Sequence, residues 1–81
     1  MVSGTVRKVD LKERTAVIET GEGEVHVRFS PATNFEVAEL STMGTTRGEL
    51  QDIEIGFLVQ FDLADRHEDG AYHCTDLVCI S

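Results

Sequence analysis

The chain lacks any apolar run long enough to span a membrane, and it lacks a glycine-rich phosphate loop, a nucleophile elbow and a Ser/His/Asp arrangement. Its 81 residues suffice for one small domain, residues 1–81, with little room for a catalytic cleft. The first residues enter a strand pattern at once, without the basic region and apolar segment of a signal peptide. We therefore expect one cytoplasmic, non-enzymatic domain with no cofactor and no membrane partner.

Cysteine is scarce, since Cys74 and Cys79 are the whole thiol inventory. They belong to one predicted strand, where a spacing of ~3.3 Å per residue separates them by about 16 Å and prevents a mutual disulfide. Their odd spacing predicts one buried thiol and one surface thiol. Because no C-x-x-C or H-x-x-x-H pair occurs, and the acidic residues 62–69 lack EF-hand spacing, we expect no metal site.

Basic residues are also few, with 7 Lys and Arg against 15 Asp and Glu, and a net charge of -8. Through Ser30 the two signs balance, five against five, whereas the remainder has two basic and ten acidic residues. A protein that binds polyanions over its whole surface is basic. Any nucleic-acid site is therefore confined to the N-terminal strands.

Alternation of apolar and polar residues predicts three strands in the first part of the chain, at residues 2–9, 14–20 and 25–29. A Gly-Glu-Gly turn precedes the third strand. Ser30 and Pro31 are expected to end it, because proline cannot donate to a sheet ladder and restricts the residue before it.

The second part of the chain predicts two further strands, at residues 57–63 and 72–80, joined by a polar loop in which Gly70 takes a positive φ. Between the third and fourth strands we expect a long loop or a short helix over residues 34–40, capped by Asn34. Five short strands favour an all-β, closed barrel of the oligonucleotide/oligosaccharide-binding (OB) type, with an SH3-like barrel as the structural alternative.

The strand residues resemble a known family. Residues 3–9, 14–18 and 25–30 are similar to the first three strands of the cold-shock domain, and residues 55–61 and 71–78 to its fourth and fifth. S1-type barrels share a similar strand rhythm. The resemblance implies binding of single-stranded RNA or DNA, with bases laid on aromatic rings of strands one to three.

The aromatic rings of that family are missing from this chain. Lys8 stands where the family has its strand-one tryptophan, Thr15 and Val17 replace the strand-two phenylalanines, and His26 and Arg28 replace the strand-three phenylalanine and histidine. Because stacking contributes roughly 1–3 kcal/mol per base, we expect weak binding only. The implied nucleic-acid-binding residues are Arg7, Lys8, Thr15, Val17, His26 and Arg28.

Two alternatives remain open from the sequence. Lys8, His26 and Arg28 also fit a solvated strand face whose charges pair with Glu19 or Glu24. At the level of function, the alternative is a protein-interaction barrel whose acidic half docks on a basic protein partner.

Overall fold

The computed structural model describes residues 1–39, 41, 43–66 and 70–80, and for Asp65 and Arg66 the backbone alone. Nearly all regular structure in these residues is β-strand, and one 3₁₀ turn at Leu50–Asp52 follows the fourth strand. No helix in the described part of the chain is long and apolar enough to cross a membrane. The strands are β1 (Val2–Asp10), β2 (Thr15–Thr20), β3 (Gly23–Glu39), β4 (Gly44–Arg47), β5 (Leu58–Arg66) and β6 (Tyr72–Cys79).

Five of the strands close into a barrel. β1 pairs with β2 and β5, β2 pairs with β3, and β6 joins β3 to β5. The β3–β6 pair is parallel and the others are antiparallel. Because the barrel is closed, each of its strands is hydrogen-bonded to a neighbour along both edges. A domain with so small a core needs this protection of its strand edges. β4 lies outside the ring, on the outer half of β3. The predicted all-β, five-stranded OB-like barrel is confirmed.

The barrel interior is filled by alternate side chains of its strands. Phe61 of β5 is the largest fully buried side chain, and Ile18, Val27 and Val59 are also fully buried. The rings of Phe29 and Phe35 lie 5.2 Å apart between centroids, tilted by 53°, a separation typical of favourable aromatic pairs. The core is therefore continuous from β1 to the outer half of β3.

β3 continues past Pro31, so the expectation that Ser30 and Pro31 end this strand is wrong. The register between β3 and β6 shifts between Phe29 and Asn34, and this part of β3, which includes Pro31, bulges out. In a bulge the missing N–H removes no ladder bond. The bulge is closed by side chains: the Ser30 amide donates to Thr33 Oγ1 (2.9 Å), which donates to the Cys74 carbonyl (2.7 Å).

The short helix expected at residues 34–40 is also wrong, because the described residues up to Glu39 belong to β3; Leu40 lies outside the described residues. The backbone of this segment is paired on both sides: Val37 lies opposite Cys79 of β6 and Thr46 of β4. A one-turn helix is marginal alone, whereas two flanking strands satisfy the backbone of an extended segment.

The expectation of one buried and one surface thiol is wrong as well, since Cys74 and Cys79 are both buried and both free. The register between β5 and β6 shifts next to Asp62, where β6 contains one extra residue. Inward-facing residues of β6 on the two sides of this shift are therefore separated by an odd number of positions, as Cys74 and Cys79 are. At the predicted polar loop, residues 67–69 lie outside the described part, and Gly70 has φ of 87°, which confirms the positive φ expected there.

Candidate functional site

The sheet register brings most of the predicted site residues together on one outer face. Lys8 lies opposite Val17, which lies opposite His26, and Thr15 lies opposite Arg28. Lys8, His26 and Arg28 are exposed, and the other two are half-buried. The geometry of a compact surface across β1, β2 and β3 is therefore present, although none of these five side chains is a Phe, Tyr or Trp ring.

Arg7 occupies a different position from the other candidates. The β1–β2 register shifts between Val6 and Lys8, which places Arg7 in a bulge. Its guanidinium donates from Nε and Nη2 to the two carboxylate oxygens of Glu19, at 3.1 and 3.0 Å. This bidentate contact, together with the opposite charge, lowers the pKa of Glu19. Glu19 therefore pairs with Arg7, whereas the solvated-face alternative had Glu19 or Glu24 as the partner of Lys8, His26 or Arg28.

His73 adds a residue to the outer face that the sequence did not identify. In the parallel β3–β6 pair it lies opposite Arg28, and its Nε2 shares a hydrogen bond with Ser30 Oγ at 2.9 Å. Strand alternation could show that His73 lies on one face of β6. It could not show which face of which neighbouring strand that would extend, because the two strands are far apart in the sequence.

A polar cleft of about 340 Å³ lies beyond the end of the β2–β3 pairing, beside the irregular part of β3 around Pro31. Arg14 and Arg47 line it, with the polar side chains of Ser30, Asn34 and Gln51. Its lining also includes three buried residues, Thr33, Phe35 and Leu50. Neither arginine was a candidate from the sequence. The available signal was that Arg47 is the only basic residue between positions 29 and 65.

Local backbone features place the two arginines at this cleft. Arg14 ends the β1–β2 turn with φ of 57°, a left-handed conformation uncommon for a residue with a side chain. Its Nε and Nη2 donate to the carbonyls of Phe29 and Ser30, at 3.4 and 3.3 Å. Arg47 ends β4, and the chain then turns over β3 at Gly48, whose amide donates to the Phe35 carbonyl (2.8 Å). A Cβ at Gly48 would lie 3.0 Å from Val37 Cγ2, so the close approach favours glycine.

The hydrogen bonding of the cleft leaves donors available. Arg47 forms no hydrogen bond or ion pair with any residue the structure describes, and Arg14 Nη1 likewise has no bonded partner among them. Glu49 is the one acidic side chain among the lining residues, and the Gln51 amide donates to its carboxylate. The ionisable lining groups therefore carry two positive charges and one negative charge, in a chain whose net charge is -8.

The two thiols are not suited to reaction or to ligand binding. Burial, and secondarily the Asp76 carboxylate, raises the pKa of Cys74 to about 12, and burial raises the pKa of Cys79. Cys74 Sγ donates to the Asp76 carbonyl at 3.3 Å. Both groups are therefore neutral thiols at neutral pH.

We predict that Cys74 resists alkylation in the folded protein. Raising its pKa from the ordinary 9.0 to about 12 lowers the thiolate fraction about a thousandfold at neutral pH, before steric protection is counted. Iodoacetamide labelling read by peptide mass spectrometry should modify Cys74 only after guanidinium unfolding, with the unfolded chain as the control. Labelling of native Cys74 at the unfolded rate would contradict this environment.

Comparison with known proteins places the chain by fold. No family model and no curated protein matches it. A solved structure of CusF with Ag(I) from Escherichia coli is similar over 99% of this chain and 89% of the other, with a TM-score of 0.70 and 16% identity. A Cu(II) complex of a tryptophan-to-alanine variant of CusF has the same coverage, a TM-score of 0.64 and 14% identity.

This finding corrects the function predicted from the sequence. The structures that match the whole fold are complexes of a protein with silver or copper, and not cold-shock domains with nucleic acid. Weak single-stranded nucleic-acid binding through Lys8, His26 and Arg28 is therefore the wrong prediction. At 14–16% identity the likeness establishes the OB-like barrel and no more than the fold.

Proposed function

We propose that this domain is a non-enzymatic binding barrel whose ligand is a small anion, a carboxylate or a phosphate group, held in the cleft between Arg14 and Arg47. The observation that carries the proposal is the Arg47 guanidinium, which lines a polar cleft without any bonded partner among the described residues. Guanidinium presents paired N–H donors that match the two oxygens of a carboxylate or phosphate.

Charge supports an anion of modest size. Arg14 contributes Nη1, and Ser30 and Asn34 add polar side chains to the cleft lining. The Glu49 carboxylate repels a ligand with a large negative charge, although the Gln51 amide already donates to this carboxylate. The cleft volume of about 340 Å³ fits a small molecule or a single ligand group better than a polymer.

Silver or copper, the metals in the CusF structures, fit the described residues poorly. These ions prefer sulfur and imidazole ligands. No group of three or more His, Cys, Asp or Glu side chains in the described part of the chain is arranged to hold a metal. Burial keeps Cys74 protonated. Met1 lies just before β1 and Met43 just before β4, and these two strands do not pair with each other, so strand pairing does not bring the two thioethers together. We therefore assign no metal to this barrel.

We predict that Arg47→Gln weakens binding of inorganic phosphate and acetate about tenfold or more. The substitution removes the paired donors and a positive charge, and hydrogen bonds to a charged group contribute about 1.5–3 kcal/mol. Titration followed by two-dimensional NMR measures the affinity, and the amides of Gly48 and Gln51 should report it because they belong to the cleft.

The matched control is Arg7→Gln, which changes the net charge equally but removes an arginine that is paired with Glu19 outside the cleft. It should leave the affinity unchanged. Equal weakening by both substitutions would mean that the anion responds to overall charge, and no binding of either anion to the native chain would overturn the site. Saturable Ag(I) binding in a parallel titration, with no anion binding, would favour the metal instead.

A further inference from the structure

Among the residues that the structure describes, the outer edge of β4 has no strand partner at Thr45 and Arg47. β4 pairs with β3 on one side, and no other described strand pairs with it. All four of its residues are exposed. The edge carries neither proline nor lysine, which are common means by which proteins block strand addition.

The hydrogen-bond pattern shows which backbone groups this edge presents. The Gly48 amide donates to the Phe35 carbonyl at 2.8 Å, which makes this a bonded pair at the end of the β3–β4 register. Antiparallel pairs alternate between bonded and non-bonded, so Thr46 points its N–H and C=O toward β3. Thr45 and Arg47 point theirs away from β3, toward the open edge.

We infer that this edge pairs with the β4 edge of a second copy of the chain, antiparallel and about a two-fold axis at Thr46. In this register Thr45 of each copy lies opposite Arg47 of the other, so that the outward groups of both residues are bonded, with about four hydrogen bonds in all. Thr46 faces its own counterpart, and cross-strand threonine pairs are favourable. The inference does not depend on anion binding.

Local charge complementarity supports a second copy as the occupant. Residues 43–48 contain one basic residue and no acidic one, in the otherwise acidic half of the chain. Thr45 Oγ1 donates to Glu36 Oε1 at 3.0 Å, so a carboxylate lies beside Thr45. The proposed register places Arg47 of the second copy directly opposite Thr45, next to that carboxylate, and no two arginines lie opposite each other.

The dimer is expected to be weak and to strengthen with salt. A pairing of four-residue strands buries little area, and each copy carries a net charge of -8. The Debye length falls from ~10 Å at 0.1 M salt to ~3 Å at 1 M, so added salt weakens the long-range repulsion between the copies more than the contacts in the ladder.

The test is sedimentation equilibrium over a concentration series at both salt concentrations, with two substitutions at one position. Thr45→Pro removes an outward N–H in each copy and no bond to β3, so it should weaken dimerisation about tenfold or more. Thr45→Val is the matched control, because it also loses the hydroxyl bond to Glu36 but keeps the N–H. It should dimerise like the native chain.

Native-chain hydrogen exchange gives a readout that needs no variant. The amides of Thr45 and Arg47 should gain protection as protein concentration rises, whereas the Thr46 amide, bonded to β3, should be protected throughout. A monomer at every concentration and salt would overturn the inference. Equal loss of dimer in Thr45→Pro and Thr45→Val, or concentration-dependent protection at Thr46 alone, would also overturn it.

Discussion

Replacing Phe61 with alanine is expected to lower the free energy of unfolding by about 3–5 kcal/mol, the range measured for large-to-small changes in well-packed cores. Phe61 is fully buried in the middle of β5, opposite Leu77 of β6 and Val2 of β1. Its removal leaves a cavity lined by two barrel strands that closure prevents from collapsing. Urea unfolding followed by far-UV circular dichroism measures the loss, because the chain has no tryptophan.

Phe57→Ala is the matched comparison for Phe61. Phe57 is half-buried and packs against the edge of the same core, so the same change should cost markedly less. Since small domains have total stabilities of about 5–15 kcal/mol, Phe61→Ala is expected to bring the chain near unfolding at 25 °C. Equal losses at the two positions would show that the barrel interior repacks freely around Phe61.

The second large effect is expected at Gly4, where alanine should destabilise the fold by about 2 kcal/mol or more. An added Cβ would lie 2.5 Å from the Glu19 carbonyl oxygen and 2.6 Å from Ile18 Cγ2. The oxygen belongs to the backbone of β2, and Gly4 itself pairs with Val59 of β5. Relief of the overlap therefore requires β1 to move away from a strand to which it is bonded.

The sign of this effect is informative because glycine-to-alanine changes in strands usually stabilise slightly, by restricting the unfolded chain. Gly21→Ala is the control, since a Cβ there meets no atom within 4 Å and no left-handed backbone is involved. Thermal unfolding should show a lower midpoint for Gly4→Ala and little change for Gly21→Ala. Equal midpoints would mean that β1 and β2 can move apart at Gly4 without a loss of stability.

Periodicity predicted the strands of the barrel because each has one buried face. In the third strand, Val27 and Phe29 are buried, whereas His26 and Arg28 are exposed, as alternation requires. What periodicity could not predict is a change of face within a strand. The bulges at Pro31 and near Asp62 depend on pairing with distant strands, and each changed which side chains point inward.

The outer half of β3 was mispredicted for a related reason. Local signals at Pro31 and Asn34 favoured a strand end followed by a helix cap, and both residues have such preferences. Pairing with β6, formed by residues far along the chain, overrides them. Tertiary hydrogen bonding decides such segments, and it is not encoded in a window of a few residues.

The candidate cleft could not be predicted from the sequence, because no regular spacing along the chain relates its residues. Arg14 ends a turn and Arg47 ends β4, and the tertiary structure brings both to one cleft. The outer face, by contrast, was anticipated from strand alternation together with the resemblance to the cold-shock domain, and the register of β1 to β3 then brought its residues together. Its function was not, since a barrel can retain the geometry of a face while its side chains no longer supply the chemistry.

The position of β6 has a consequence for synthesis of the chain. β6 lies between β3 and β5 and closes the ring, although it is made after the other barrel strands. Until residues 72–79 leave the ribosome, β3 and β5 each present an open edge, and Val27, Phe29 and Phe61 lack the strand that covers them. Translation at about 5–20 residues per second therefore leaves a short interval in which the nascent chain is exposed to strand-edge aggregation.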